Sequence, residues 1–209
     1  MKVKVAMNLR VYLSKLKWNY KVVKKIKKKG TFIGTNHHFS PFSRINLEYG
    51  AKKENVIIED GVWMKGKINV QYDGKVVLHE QSKIATTTVI QCVNKVEIGA
   101  YTSIAPDTTI CDNNNHPVSP SYRLKMELTP EGHAMRSWKY STSAPIVIGK
   151  NCWIGTNVRI CKGVKIGDNS VIGACSVVTK DVPANCIAVG NPARIVKTNI
   201  DQLSEPIFP

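Results

Sequence analysis

Histidine is the side chain whose ordinary pKa lets it take up and return a proton near neutrality, and this chain has five: His37, His38, His79, His116 and His133. His116 stands out by its position. It lies in the turn Asn115-His116-Pro117-Val118, where a long polar stretch begins, ahead of the string Trp153-Ile154-Gly155. Placed there it is a candidate general base for a weakly acidic hydroxyl; taken alone it reads equally well as a surface histidine in an Asn-rich turn. Asn115, His133 and Trp138 are candidate substrate contacts in the same stretch, and Asp112 or Glu127 could orient the imidazole. His37 and His38 belong to a Gly-Thr-Asn-His-His turn before Ser40-Pro41. The six cysteines form no C-x-x-C pair and match no histidine at zinc spacing, so they read as reduced, mostly buried small apolar residues, and no metal is expected.

The elements that must position these groups announce themselves as a period of six. Ile148, Ile154, Ile160, Ile166, Ile172 and Val178 fall in one register, and Gly149, Gly155, Gly167 and Gly173 follow four of them. Four residues after each aliphatic stands Cys152, Val158, Val164, Ser170, Ser176 or Val182, all small or β-branched. The register recurs at Ile98, Ile104 and Ile110, and more weakly at Ile58, Met64, Val70 and Val76; between Val76 and Ile98 the spacing is lost. A helix would place apolar residues at three and four. A period of six suits a short strand and a sharp corner, with three hexapeptides, roughly 18 residues, closing one triangular coil. Asn and Asp near the corners, as in Gly149-Lys-Asn and Gly167-Asp-Asn, tolerate left-handed backbone. A single coil cannot bury its apolar side, so the coils must stack into a solenoid. Parallel crossovers in general favour a right-handed path.

The charge is unevenly spread. The formal net charge is +15, yet residues 1–29 hold eleven Lys or Arg and no acid, and the remaining 180 residues balance to +4. Residues 8–29 read as a helix with Leu9, Tyr12, Leu13, Leu16, Val23 and Ile26 near one face. That helix either packs on an end of the solenoid or lies on an anionic membrane surface; no nucleic-acid-binding motif accompanies it. No apolar stretch approaches the ~20 residues of a membrane span, and the N-terminus lacks the apolar core of a signal peptide, so the cytoplasm is expected, with peripheral contact on the inner face of the membrane.

Three strings carry a family resemblance: Asn115-His-Pro-Val118, Pro145-Ile-Val-Ile-Gly-Lys-Asn-Cys-Trp-Ile-Gly155, and Val177-Val-Thr-Lys-Asp-Val-Pro183 continuing to Gly190-Asn-Pro-Ala-Arg194. Across residues 98–197 the chain resembles the hexapeptide-repeat acyltransferases, closest to the maltose and galactoside O-acetyltransferases and those of capsule and lipopolysaccharide clusters. The resemblance implies an all-β solenoid, a left-handed parallel β-helix with a protruding loop (about 112–147) and a short N-terminal helix. It divides the chain into residues 1–29, the catalytic β-helix 30–197 and a tail 198–209. It also implies a homotrimer with acetyl-CoA in the groove between two β-helices, and no metal. Carried over residue by residue, His116 matches the catalytic base. Trp153 and Thr156 match the thioester end, with a backbone N–H near Thr156 as oxyanion donor. Ala105 and Ala174 match small residues beside the pantetheine, and Thr179, Lys180, Arg194 and Lys197 match the nucleotide end. The γ-class carbonic anhydrases share the fold, but the five histidines here lack their spacing.

Two departures bear on the acceptor. The family's sugar-contacting Asn falls near Thr86 to Thr88, and the stretch between His116 and Ile148, with His133, Trp138 and Tyr140, is much longer than in galactoside acetyltransferases. That stretch reads as an arm reaching a neighbouring subunit and shaping the acceptor pocket. The expected function is acetyl transfer from acetyl-CoA to a hydroxyl of a sugar or glycan precursor, without a covalent enzyme intermediate, in polysaccharide biosynthesis. An amino-sugar N-acetyltransferase and a non-catalytic β-helix scaffold subunit are the alternatives.

Overall fold

The computed structural model describes residues 20–204. Its strands assemble into three sheets of six, eight and six strands, wound as a left-handed parallel β-helix. The first face runs from Thr31–Phe32 to Lys165–Ile166, the second from His38–Phe39 to Ile187–Val189, and the third from Arg44–Glu48 to Val177–Val178. Within each coil the chain visits the three faces in that order.

The inward positions stack into ladders because a strand points alternate side chains to opposite sides. On the first face Ile58, Leu78, Ile98, Ile148 and Ile166 lie in register. On the second the ladder is Met64, Ile84, Ile104, Ile154 and Ile172; on the third it is Ile45, Ile68, Ile90, Ile110, Ile160 and Val178. All are buried in one core. The small residues between ladders are buried too. Ser170 donates to Pro183 O at 2.7 Å and Thr102 to Gly149 O at 2.7 Å, so these hydroxyls enter the core with their hydrogen bonds made.

The gap in the sequence pattern is not a gap in the solenoid. Leu78, Ile84 and Ile90 continue the ladders between Val76 and Ile98, and Ile58, Leu78 and Ile98 stand twenty residues apart rather than eighteen. The N-terminal coils are wider because their third face uses longer strands, such as Lys67–Gln71. Val70 and Val76 are buried, but each sits two residues from the ladder position.

Helix α1, whose described part is residues 20–27, closes the N-terminal end. Val22 and Ile26, one turn apart, join Ile45 in the core, while Val23 is only half-buried. The inward stripe is therefore set one residue from the expected Val23, and in this part of the helix it is occupied by the solenoid. The rest of the basic helical segment lies outside the described residues. At the other end, Arg194–Lys197 turns back antiparallel on Ile187–Val189, and Ile200 N–H donates to Asn185 O at 3.1 Å. Among the described residues no helix is long and apolar enough to cross a membrane.

Candidate functional site

The solenoid is interrupted once, at the corner between the third and first faces. The chain leaves after Thr109–Cys111 and returns at Ile146–Ile148. Asp112 fastens this base. Fully buried, its carboxylate accepts Val93 N–H at 3.0 Å and Asn94 N–H at 2.7 Å from the preceding coil, and Asn113 Nδ2 at 3.0 Å. Asn113 Oδ1 then accepts Asn115 N–H at 2.8 Å, and Asn115 takes a left-handed φ of 62°. This turn puts His116 at the rim, its N–H on Asn114 O at 2.7 Å and its ring exposed. Asp112 is spent on the turn and Glu127 pairs with Arg136 at 3.8 Å, so neither orients the imidazole; among the described residues no group hydrogen-bonds the His116 ring.

The arm folds back on its own chain. It contains α2 (Pro120–Glu127), anchored by Met126, and two single turns. Arg136 ties them by donating to Thr129 O at 2.9 Å and Glu127 O at 2.8 Å. Trp138 N–H donates to Gln71 Oε1 at 2.8 Å, and Ser137 meets the Tyr72 hydroxyl at 2.9 Å. Through these contacts this part of the arm rests on an earlier corner of the same β-helix. His133 is exposed and its Nδ1 accepts Met135 N–H at 3.2 Å, capping a turn. Within the arm, beginning at the residue after His116, lies a cleft of about 360 Å³, lined by Pro117, Val118, Tyr122, Met126, Met135 and Tyr140 among others, none of them charged.

A second group gathers at the corner between the second and third faces. Ala105, Gly155 and Gly173 follow the second-face ladder in successive coils, Ala105 N–H donating to Ile154 O at 2.9 Å and Gly155 N–H to Ile172 O at 2.8 Å. Thr156 and Ala174 follow as an exposed column. The coils meet closely here: a Cβ on Gly155 would come within 2.7 Å of the Ala174 nitrogen. Side chains are small, so the corner forms a shallow rail along the solenoid axis. No acceptor among the described residues takes the Thr156 N–H. Trp153, 61% exposed, stands on the adjoining face in register with Ser103 and Val171. Further toward the C-terminus Thr179, Lys180, Arg194 and Lys197 are all exposed, the last two on the returning strand. The rail runs toward the returning strand with Arg194 and Lys197, and a column of small residues leading to cations fits an extended polyanionic thioester carrier such as acetyl-CoA, whereas Thr179 and Lys180 follow Val177–Val178 at the other edge of the third face.

In one chain, His116 and this rail do not come together. They occupy the two opposite edges of the third face. The spacing pattern also passed over Trp63, which precedes Met64 as Trp153 precedes Ile154 and lies on the same face; a second Trp just before a buried ladder position was the available signal.

The family model for the bacterial transferase hexapeptide (six repeats) matches residues 145–180. Over that stretch the chain is similar to the hexapeptide-repeat transferases. Among its relatives, the galactoside O-acetyltransferase of Escherichia coli (strain K12) is 44% identical over 95 residues, covering 46% of this chain and 47% of that protein. The chain thus matches about half the length of that relative. The putative colanic acid biosynthesis acetyltransferase WcaF of the same organism is 28% identical over 154 residues, covering 73% of this chain and 72% of that one. Among solved structures, the polySia-specific acetyltransferase NeuO superposes with a TM-score of 0.59 at 25% identity, covering 82% and 83% of the two chains. These likenesses agree with the repeat fold described above.

Proposed function

We propose that this hexapeptide-repeat transferase moves the acetyl group of acetyl-CoA to a hydroxyl of a sugar or glycan precursor, with His116 as general base, in a homotrimer whose sites lie between subunits. One observation carries the reading: the exposed, unpartnered His116 and the Trp153–Thr156–Ala174 rail sit on opposite edges of one face. In a cyclic trimer each subunit turns one edge toward its neighbour's other edge, as a head-to-tail interface requires. The relatives named as galactoside and colanic acid acetyltransferases support an acetyl group and a saccharide acceptor.

Acetyl-CoA supplies an activated acyl carbon. His116 of one subunit takes the proton as the acceptor oxygen bonds to that carbon. The free Thr156 N–H is placed to donate to the oxyanion, where a preorganised donor has its largest effect. The imidazolium then returns the proton to the departing sulfur as the C–S bond breaks, so neither serine nor cysteine is needed as a nucleophile. Lys180, Arg194 and Lys197 hold the phosphates. Residues 1–29 form a basic segment whose helix caps the β-helix 30–197; its exposed lysines, among them Lys24, Lys25 and Lys27, leave electrostatic contact with an anionic membrane as its second role.

The test is complementation. His116→Ala keeps the rail and Ala174→Trp blocks it. Each homotrimer is expected to lose thiol release from acetyl-CoA, the former by roughly a hundred- to ten-thousand-fold. Co-refolded in equal amounts they should regain about a quarter of the wild-type rate, because a quarter of random interfaces pair an intact His116 edge with an intact rail. An inert mixture with trimers intact by light scattering would refute the shared site. Running the assay over sugars, amino sugars and capsule oligosaccharides names the acceptor and separates O- from N-transfer.

A further inference from the structure

The second face carries one file of outward residues in strict register: His38, Trp63, Lys83, Ser103 and Trp153. Trp63 is 38% exposed although its strand neighbour Met64 is fully buried. Its indole is flanked by cationic or ionisable groups. Lys65 Nζ stands 4.6 Å from the ring centroid, and the His38 ring lies 4.5 Å away, tilted by 38°. Lys83 is the next residue in the file. The file contains no carboxylate; the acids that come just before its strands, Asp60 and Glu80, belong to the preceding corner, where Asp60 is occupied by Thr35 and Asn36 N–H groups.

An exposed aromatic surface beside several cations suits a ligand with an apolar ring face and a negative charge. The file's direction says where that ligand lies. The proposed nucleotide end of the rail is C-terminal to Trp153, so an acceptor approaching the acetyl group comes from the N-terminal side, along Ser103 and Lys83 toward Trp63. Three strand spacings separate the two tryptophans, about 14 Å, which is longer than one monosaccharide.

We propose that the second face binds an anionic oligosaccharide or polysaccharide, one ring against Trp63 and its carboxylate or phosphate groups on Lys65, Lys83 and His38, as the extension of the acceptor away from the transfer site. This rests on the reading of Trp153 and Thr156 as the acetyl end. A single-stranded nucleic acid, the other polyanion that stacks on aromatics, needs successive platforms, and on this file the next aromatic after Trp63 is three strands away.

Calorimetric titration without acetyl-CoA tests the proposal, using hexameric oligogalacturonate as the anionic glycan, maltohexaose as its neutral counterpart and hexathymidylate as the nucleic acid. Oligogalacturonate should bind at least about tenfold more tightly than either of the others, and its affinity should fall with salt. Trp63→Ala should weaken it about tenfold, Trp63→Phe less, and Lys65→Gln with Lys83→Gln should flatten the salt dependence. Circular dichroism checks that each variant folds, and Trp63→Phe keeps the test open if Trp63→Ala does not. No binding of oligogalacturonate, binding indifferent to both Trp63 variants, or equal preference for maltohexaose or hexathymidylate would overturn the proposal. Thiol release by the wild-type protein with a monosaccharide acceptor reports on the transferase reading by itself, so the two failures are distinguishable.

Discussion

The coils before the arm and those after it share one register and one core, yet their corners are made differently. After the arm, the left-handed corner positions other than glycine are Asn151, Asn157, Asn169, Cys175 and Asn185. Before it they are Tyr49, Tyr72, Gln81, Thr87, Tyr101 and Asp107. Asparagine enters this conformation at little cost, whereas larger side chains lose roughly 1–2 kcal/mol there. The later corners also knit across coils, Asn151 Nδ2 to Asn169 at 3.0 Å and Asn169 Nδ2 to Asn185 at 2.9 Å. The earlier corners instead offer aromatic surface: Tyr49 stacks on Tyr72 at 5.4 Å, and Tyr72 receives the arm. Close, regular coils with small corners suit a ligand lying along the backbone; wide coils with large corners suit the docking of other chain segments.

The largest expected effect compares the two regions inside. Ile154 sits between Ile104 and Ile172, Ile84 between Met64 and Ile104, and both are buried. Truncation of such a residue to Ala costs about 2–5 kcal/mol, depending on how far the cavity collapses. Met64 is flexible enough to move into the space beside Ile84, whereas the branched neighbours of Ile154 are not. Ile154→Ala should therefore fall in the upper half of that range and Ile84→Ala in the lower half, read from urea unfolding. The reverse order would mean that the wide coils are the more tightly packed.

How much of this was legible in the sequence follows the same division. The later coils keep a spacing of eighteen residues, so Ile148 to Val178 and their glycines spelled out the solenoid. The earlier coils lengthen to twenty, with extra residues on the third face, and Leu78, Ile84 and Ile90, six apart among themselves, fall out of phase with Val76 and Ile98 although they fill the same ladders. His116 was legible because it stands in a recognisable string. The roles of Asp112 and Arg136 were not, since each acts on backbone groups that only the folded turn assembles. Nor could the sequence show that the Trp138 N–H docks the arm on Gln71 and that His133 caps a turn, since both bonds depend on how the arm folds.

A smaller effect should come from the corners. Tyr101 holds a φ of 62° with its side chain 58% exposed, so little packing offsets the strain. Tyr101→Asn should stabilise by roughly 0.5–1 kcal/mol, a part of the left-handed penalty, and Asn151→Tyr at the matching corner after the arm should cost about as much or more because it also breaks the asparagine ladder. Equal and negligible changes in unfolding free energy at both corners would show that side-chain type does not distinguish the two regions.

The smallest effect is one of pH, and it too separates the regions. Before the arm, the tie between coils on the first face is His79, whose Nδ1 meets Glu59 at 3.1 Å and whose Nε2 meets Glu97 at 2.9 Å. Partial burial pulls its pKa down, but the hydrogen bonds to Glu97 and Glu59 and their negative charge outweigh that, and the net shift is upward from 6.5. Lys95, paired with Glu97, is the other charged group at the cluster. The folded state therefore binds the His79 proton more tightly than the unfolded chain does. The stabilisation is fully present below pH 6.5 and is lost as the pH rises through the raised folded value. After the arm the comparable ties are the neutral asparagine ladder and the Lys150–Asp168 pair, 3.8 Å apart, with no histidine between coils. Melting temperature should accordingly decline from pH 6 upward in the wild-type protein, and His79→Gln should flatten that decline, whereas Asp168→Asn should shift the whole curve without changing its slope. Because the imidazole is partly open to solvent, salt should shrink the slope as well. Parallel pH profiles for wild type and His79→Gln would assign the slope to other histidines and remove His79 as a pH-sensitive tie.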